Sequence, residues 1–148
     1  MSEHRVTVRW DRTSPDFTYD TYNREHTWTF PGGQSLDASS APEYLGDSTC
    51  VNPEEAFAAS VSSCHMLTFL AIAARKRYTV EYYMDDAVAV LEKNADGALA
   101  VTRVELNPSV RFSGPPTPSP EEITALHEKA HQHCFIANSI KCEVVVNE

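Results

Sequence analysis

The sequence predicts an α+β protein in which several antiparallel strands surround two helices. Segments rich in Val, Thr and aromatic residues, with polarity alternating along several of them, recur in the N-terminal, central and C-terminal parts of the chain. Two longer segments begin with helix-capping residues and continue with apolar residues. No repeat or composition boundary divides the 148 residues, and this length suits one domain. We therefore expect a single domain over residues 1–148.

The N-terminal part is expected to form three strands and a loop. Residues 5–10 alternate in polarity, and residues 17–23 and 26–30 are rich in Thr, Tyr, Trp and Phe, which favour strands. Two glycines after a proline then predict the turn that ends the third strand. Residues 35–51 contain Ser, Pro, Gly and Asp, so we expect a loop with a short turn of structure there.

The first helix is predicted to begin at Asn52, which can act as N-cap. Pro53 occupies the first helical position, and two glutamates follow in the first turn, where the helix dipole favours negative charge. Residues 56–74 are apolar or small on nearly every side, and cations at 75–77 close the helix. A helix that is apolar all round is buried on all sides. This pattern predicts a central helix, covered in part by a second subunit.

Two long strands and a connector are expected next. Residues 79–93 and 98–112 have strand composition, and the Asn-Ala-Asp-Gly sequence at 94–97 suits the turn between them. Residues 113–120 contain four prolines and predict a stiff connector.

The second helix is predicted to begin after Ser119, which forms a capping box with Glu122. One face of this helix carries residues at helical spacing: Ile123, Leu126, Ala130 and Cys134. Residues 140–147 alternate again, with Cys142 on the same face as Val144, and predict a closing strand.

Charge and hydropathy exclude several classes of protein. Twelve Lys and Arg against 21 Asp and Glu give a net charge of -9, which argues against nucleic acid or an anionic membrane as the main partner. The N-terminus has no apolar signal segment, and we see no stretch of about 20 apolar residues. We therefore expect a cytoplasmic protein whose cysteines are reduced at rest.

The four cysteines are Cys50, Cys64, Cys134 and Cys142, and their wide spacing excludes a zinc ribbon or a CxxC redox motif. Cys64 lies deep in the first helix, beyond the turn on which the helix dipole acts, so a thiolate there needs a cation from elsewhere. The simplest alternative is a small core residue. Cys134 lies at the C-terminal end of the second helix. It is either a core residue or a partner thiol for Cys64. We assign Cys50 and Cys142 no role.

A metal site is the competing interpretation of the second helix. His127, His131 and Cys134 have i, i+4, i+7 spacing and share one helix face, so they could supply three ligands. His133 lies nearby but about 100° away from that face. The spacing is weakly specific, because any amphipathic helix with several histidines produces it.

Three segments stand out: residues 52–64, which contain Cys64, residues 130–139, which contain Cys134, and residues 22–28, which contain Arg24. They resemble, in that order, the first cysteine motif, the second cysteine motif and an N-terminal strand segment of the OsmC/Ohr family of osmotically inducible and organic hydroperoxide resistance proteins. The likeness extends from about residue 22 to the C-terminus. Two departures indicate the broad OsmC-like branch: Phe135 follows the second cysteine, where hydroperoxide resistance members usually have Pro, and His65 follows the first.

The resemblance implies an OsmC-like α+β fold in an intertwined homodimer with central helices. It also implies a thiol-dependent peroxidase that reduces organic hydroperoxides without haem, flavin or metal, and that is recycled by a lipoyl protein or another dithiol. By position, Cys64 is then the peroxidatic cysteine and Cys134 the resolving cysteine. Arg24 is the activating cation, and Glu54 holds Arg24.

The roles of Arg24 and Glu54 have simpler alternatives. Arg24 could be a solvent-facing strand residue, and Glu54 suits the first turn of any helix. On one continuous helix Glu54 and Cys64 are about 15 Å apart along the axis. Either the helix begins after Glu54, or Arg24 bridges this gap, or Glu54 serves the site of the other subunit. Because the first helix is apolar on nearly every side, we expect a site at a dimer interface. The alternative functions are an OsmC-like redox sensor or small-molecule binding protein, and the metal-binding protein described above.

Overall fold

A computed structural model describes the whole chain, residues 1–148. The chain forms two compact units, Met1–Ala56 and Phe57–Glu148. Helix α1, Pro53–Arg75, begins in the first unit and continues through the second. The assignment of residues 1–148 to one domain stays a prediction.

The first unit contains a three-stranded antiparallel sheet in the order β1-β2-β3, formed by β1 (Thr7–Arg9), β2 (His26–Thr29) and β3 (Ser35–Ala38). The strands predicted at 5–10 and 26–30 are confirmed in shortened form. The turn after β2 is also confirmed: the Gly33 amide donates to the Phe30 carbonyl at 2.9 Å, and Gly33 has the positive φ of 86° that favours glycine.

Two sequence predictions for this unit are wrong. Residues 17–23 form a turn and not a strand, because the amides of Thr21 and Tyr22 both donate to the Thr18 carbonyl. A strand, β3, lies within the predicted loop at 35–51. Its residues have little β propensity of their own, and pairing with β2 holds them extended.

The second unit contains two sheets. β4 (Thr79–Asp85) pairs with β7 (Pro108–Ser113) in one antiparallel sheet. The other sheet has the order β5-β6-β8, formed by β5 (Val88–Lys93), β6 (Leu99–Leu106) and β8 (Glu143–Val146). The pair β5-β6 is antiparallel, whereas β6-β8 is parallel.

Each of the two long strands predicted from the sequence is broken in the middle. The Asp85 carboxylate accepts a hydrogen bond from the Asn107 amide at 2.6 Å and another from the Ser62 hydroxyl, and the Asn107 side chain donates to the Asp86 carbonyl. These polar contacts replace the ladder bonds at residues 86–87 and 107. The long hairpin is therefore divided between two sheets.

Both helices begin as predicted. In α1, the Glu55 amide donates to Asn52 Oδ1 at 2.9 Å, and the Asn52 amide donates to the Glu55 carboxylate. Helix α2 (Pro120–His133) has the same reciprocal arrangement between Ser119 and Glu122. Each pair satisfies two amides that the helix itself leaves without partners.

Helix α1 is buried on one side only within the single chain, and the cover of its other side by a second subunit stays a prediction. Its buried stripe is Ala58, Val61, His65, Phe69 and Ala73. Phe69 packs in one core cluster with Leu126 and Ala130 of α2, and Val61 packs in another with residues of β6. On the opposite side, Leu67 is 60% exposed. By length and composition alone α1 could cross a membrane, but its buried stripe packs as that of a core helix does.

Candidate functional site

The thiols of Cys64 and Cys134 meet between α1 and the end of α2. Cys134 directly follows α2, and its thiol lies within hydrogen-bonding reach of the Cys64 thiol. Both cysteines are free thiols, and Cys134 is only 1% exposed whereas Cys64 is half-buried. The structure therefore brings the thiols of the two predicted cysteines into contact, and their roles stay predictions.

The environment of Cys134 suits a thiol that reacts second. Burial raises the pKa of the Cys134 thiol, and its hydrogen bond to Cys64 acts in the same direction. The amide of Ala137, whose nitrogen lies 3.4 Å from the Cys134 sulfur, opposes this rise. Since the thiolate is the nucleophile, a thiol that keeps its proton is a poor first attacker. The more accessible Cys64 is the better candidate for the first reaction.

A cavity of about 700 Å³ opens beside Cys64. Its apolar lining comes from Leu67 and Ile72 of α1 and from Phe135 and Ile136 after α2, while Arg75, Lys129 and His133 also line it. A small apolar molecule can therefore reach the Cys64 sulfur without entering the core.

Two histidines form a buried pair in the second unit. His65 Nε2 lies 3.0 Å from His127 Nδ1, and the residues are 1% and 3% exposed. The rings are nearly parallel, with an interplanar angle of 6°, and Phe69 packs against His127 with ring centroids 4.4 Å apart. His65 Nδ1 and the hydroxyl of Tyr83 are buried without hydrogen-bond partners. The pair is therefore a polar contact inside an apolar core.

Burial lowers the pKa of His65 to about 4, and electrostatic repulsion by the neighbouring imidazoles of His127 and His131 acts in the same direction. The carboxylate of Asp85 opposes this change. Burial also lowers the pKa of His127, against the carboxylates of Glu148 and Asp85. Both imidazoles are therefore neutral near pH 7.

Arg24 lies in the first unit and is 9% exposed. Its guanidinium donates to the carbonyl oxygens of Tyr19 and Tyr22, and its Cζ lies 3.7 Å from the centroid of the Tyr22 ring. None of the ion pairs of the chain involves Arg24. A buried arginine without a carboxylate partner keeps a positive charge that can stabilise an anion.

A second cavity, of about 350 Å³, borders Arg24 within the same unit. Its walls are mainly aromatic, with Trp10, Phe17 and Tyr22, and they include His26 and two serines. Arg24 therefore sits in an aromatic surrounding, and it is not the solvent-facing strand residue that the alternative interpretation expected.

Glu54 is half-buried in the first turn of α1. It forms no ion pair with Arg24 within the chain, and Glu55 rather than Glu54 closes the capping box. The role of Glu54 stays a prediction.

Comparison with known proteins decides the family. The family model described as OsmC-like protein matches residues 46–148, which is more than half of the chain. The protein belongs to the OsmC-like family. An OsmC-like protein of unknown function from Vibrio cholerae has 49% sequence identity and a TM-score of 0.96, with 99% of each chain covered. A search of curated proteins finds no significant match.

More distant solved structures share the OsmC-like fold. An organic hydroperoxide resistance protein from Legionella pneumophila has 20% identity and a TM-score of 0.70, over 99% of this chain and 96% of the other. One from Bacillus subtilis has 17% identity and a TM-score of 0.66, over 99% and 98%. The expected α+β fold is thereby confirmed. The matched family segment contains Cys64, Cys134 and Glu54, but Arg24 lies before it.

The other constellations of this OsmC-like chain do not form sites. No group of three or more His, Cys, Asp or Glu side chains could hold a metal ion, and His127 faces His65 rather than Cys134. The pKa of the Cys50 thiol is raised by burial and by the charge of Asp47, and burial raises that of Cys142. Neither thiol is activated for attack.

Sequence reasoning missed the buried histidine pair. Its spacing groups His127 with His131 and Cys134, yet His127 occupies the same buried face as Leu126 and Ala130. His65 lies four residues from Val61 and four from Phe69, so it continues the buried stripe of α1. Two histidines on the inward faces of both helices were the available signal for a contact between them.

Proposed function

We propose that this OsmC-like protein is a cytoplasmic, thiol-dependent peroxidase that reduces organic hydroperoxides, with hydrogen peroxide as a further substrate. The observation that carries the proposal is the contact between an accessible Cys64, beside an apolar cavity, and an enclosed Cys134. Peroxidases of this type need a first thiol that peroxide can reach and a second thiol that can close a disulfide with it.

The reaction proceeds in two steps. The Cys64 thiolate attacks the distal oxygen of the hydroperoxide, the O–O bond breaks, and the alkoxide takes a proton and leaves as the alcohol. The sulfur of Cys134 then attacks the Cys64 sulfenic acid, and the thiol proton leaves with the hydroxyl group as water. An external dithiol, such as a lipoyl group, reduces the resulting disulfide and is itself oxidised.

Arg24 is proposed to stabilise the Cys64 thiolate and the peroxide oxygen, and Glu54 to orient the guanidinium. The support is the buried charge of Arg24, which carbonyl oxygens and aromatic rings surround without a carboxylate. Since Glu54 makes no ion pair with Arg24 in the single chain, we propose that the complete site forms in a homodimer. The exposed side of α1, which includes Leu67 and Ala71, is the surface that a second subunit would cover.

A redox sensor is the alternative for the same pair of thiols. The observation that favours it is the enclosure of Cys134, because a buried sulfur is reached slowly by an external reductant. A sensor forms the disulfide but turns over slowly.

The test is a panel of hydrogen peroxide, tert-butyl hydroperoxide and cumene hydroperoxide with dithiothreitol or dihydrolipoamide as reductant. We expect continuous consumption of the organic hydroperoxides and, without reductant, a Cys64–Cys134 disulfide in the peptide mass spectrum. A disulfide that forms without sustained consumption supports the sensor. Oxidation at Cys50 or Cys142 in place of that disulfide contradicts both functions.

Arg24→Met is expected to lower kcat/KM about ten- to a hundredfold, because an adjacent cation lowers the pKa of an acid by about one to three. The pH profile of Cys64 alkylation by iodoacetamide should move to higher pH in the same variant. Arg9→Met is the matched control, since Arg9 is exposed and pairs only with Asp11. An unchanged alkylation profile in Arg24→Met would remove Arg24 from the mechanism.

A further inference from the structure

Two polar contacts join α1 to α2 and to the residue after it. Cys64 and His65 are consecutive on α1, and their partners are Cys134 and His127. His127 and Cys134 are seven residues apart, which places them on the same side of α2, two turns from each other. The histidine pair and the thiol pair therefore brace the same two segments, and a displacement of α1 along α2 would disturb both.

The hydrogen bond between the imidazoles has a preferred direction. If His127 Nδ1 donated, neutral His65 would carry its proton on Nδ1, which has no partner, and a buried N–H would be left unpaired. If His65 Nε2 donates, Nδ1 is a bare acceptor, and no buried donor of His65 lacks a partner. The second arrangement avoids the free-energy cost of burying an N–H group without a hydrogen-bond partner. We therefore assign His65 Nε2 as the donor and His127 Nδ1 as the acceptor.

The apolar contacts around the histidine pair hold the two helices together but do not fix their relative position. Phe69, Leu126 and Ala130 pack by dispersion, which depends weakly on direction and tolerates small shifts. A hydrogen bond of 3.0 Å between two ring nitrogens loses strength steeply when its length or angle changes. The pair is thus a directional contact between α1 and α2 next to the thiols.

We propose that the His65–His127 hydrogen bond positions Cys64 against Cys134, so that the two thiols form their disulfide rapidly. The inference rests on the thiol pair of the proposed function, but it does not require hydroperoxide as the oxidant. When the bond is lost and hydroperoxide is the oxidant, a Cys64 sulfenic acid waits longer for Cys134, and a second hydroperoxide molecule oxidises it to sulfinic acid and is itself reduced to the alcohol. His65 and His127 are positioning residues in this scheme and touch no substrate.

The test measures the rate of Cys64–Cys134 disulfide formation with diamide at pH 7.5. Two thiols give one disulfide, and diamide accepts the two electrons and two protons to become the hydrazine. Diamide separates this test from the proposed function, because a chain without peroxidase activity still reports on thiol geometry. His65→Gln with His127→Asn keeps a donor and an acceptor near the original nitrogens, whereas His65→Leu with His127→Leu keeps only apolar packing.

We expect the Gln/Asn pair to match the wild type and the Leu pair to be about tenfold slower, the effect of losing one net hydrogen bond. Thermal unfolding should show the Leu pair to be at least as stable as the wild type, because both polar partners are removed together. His4→Asn, in the exposed N-terminal segment, is the control for loss of a histidine. A Leu pair that forms the disulfide at the wild-type rate would overturn the proposal.

A measurement on the wild type covers the case in which these variants do not fold. The imidazole ¹⁵N signals of His65 and His127 should shift between the dithiol and the Cys64–Cys134 disulfide, because the two contacts share their helices. Signals that are identical in both redox states would also overturn the proposal.

Discussion

Cys64→Ser reduces hydroperoxide consumption to the rate of the protein-free solution, a loss of at least about a thousandfold, as when a catalytic nucleophile is removed from other enzymes. The serine hydroxyl keeps its proton at neutral pH and is a poor nucleophile without a general base. Cys134 cannot take over, because burial raises the pKa of its thiol and keeps it protonated at neutral pH. The measurement is peroxide consumption with dithiothreitol as reductant.

Cys134→Ser gives a different result from the same assay. We expect each subunit to reduce one equivalent of hydroperoxide rapidly and then to slow, because the Cys64 sulfenic acid has lost its partner thiol. Dimedone should label Cys64 in this variant and not in the wild type. Cys50→Ser is the matched control, since the Cys50 thiol lies in a loop of the first unit and its pKa is raised. Full turnover by Cys64→Ser would contradict the proposed function.

Local signals in the sequence were sufficient where the structure is decided locally. The starts of both helices depend on side chains that bond to amides three residues away, so Asn52 and Ser119 could be identified without tertiary information. The break in the two long strands depends on contacts of Asp85 with Asn107 and Ser62, which are more than 20 residues away in sequence. Strand composition continues through such a break, and the composition alone therefore predicts one hairpin.

The same distinction between local signals and long-range contacts applies to the candidate site. The resemblance to a family supplied Cys64 and Cys134, and the contact between their thiols follows from the packing of α1 against the end of α2. The pairing of His65 with His127 joins residues 62 apart and changes the chemistry of both side chains. Histidine spacing along one helix cannot distinguish a ligand from a buried residue, because the partner lies on another helix.

The buried histidine pair predicts a fold that loses stability in mild acid. His65 has a pKa of about 4 in the folded chain against 6.5 as the ordinary value, so the unfolded chain binds more protons between these two values. Its contribution to the free energy of unfolding is complete above pH 6.5, is lost as the pH falls toward 4, and does not change further below. The drop in pKa corresponds to about 3 kcal/mol. His127, whose pKa burial also lowers, acts in the same direction.

Urea unfolding followed by circular dichroism between pH 7.5 and pH 4, at one protein concentration, measures this loss. The variant with His65→Gln and His127→Asn is the control, because it keeps the hydrogen bond and cannot titrate. Carboxylates contribute equally to both proteins, so the difference between their two curves isolates the imidazoles. We expect the free energy of unfolding of the wild type to fall below that of the variant as the pH decreases through this window. Parallel curves would show that the imidazoles titrate alike in the folded and unfolded chains, because a proton bound equally by both states cannot change the equilibrium between them.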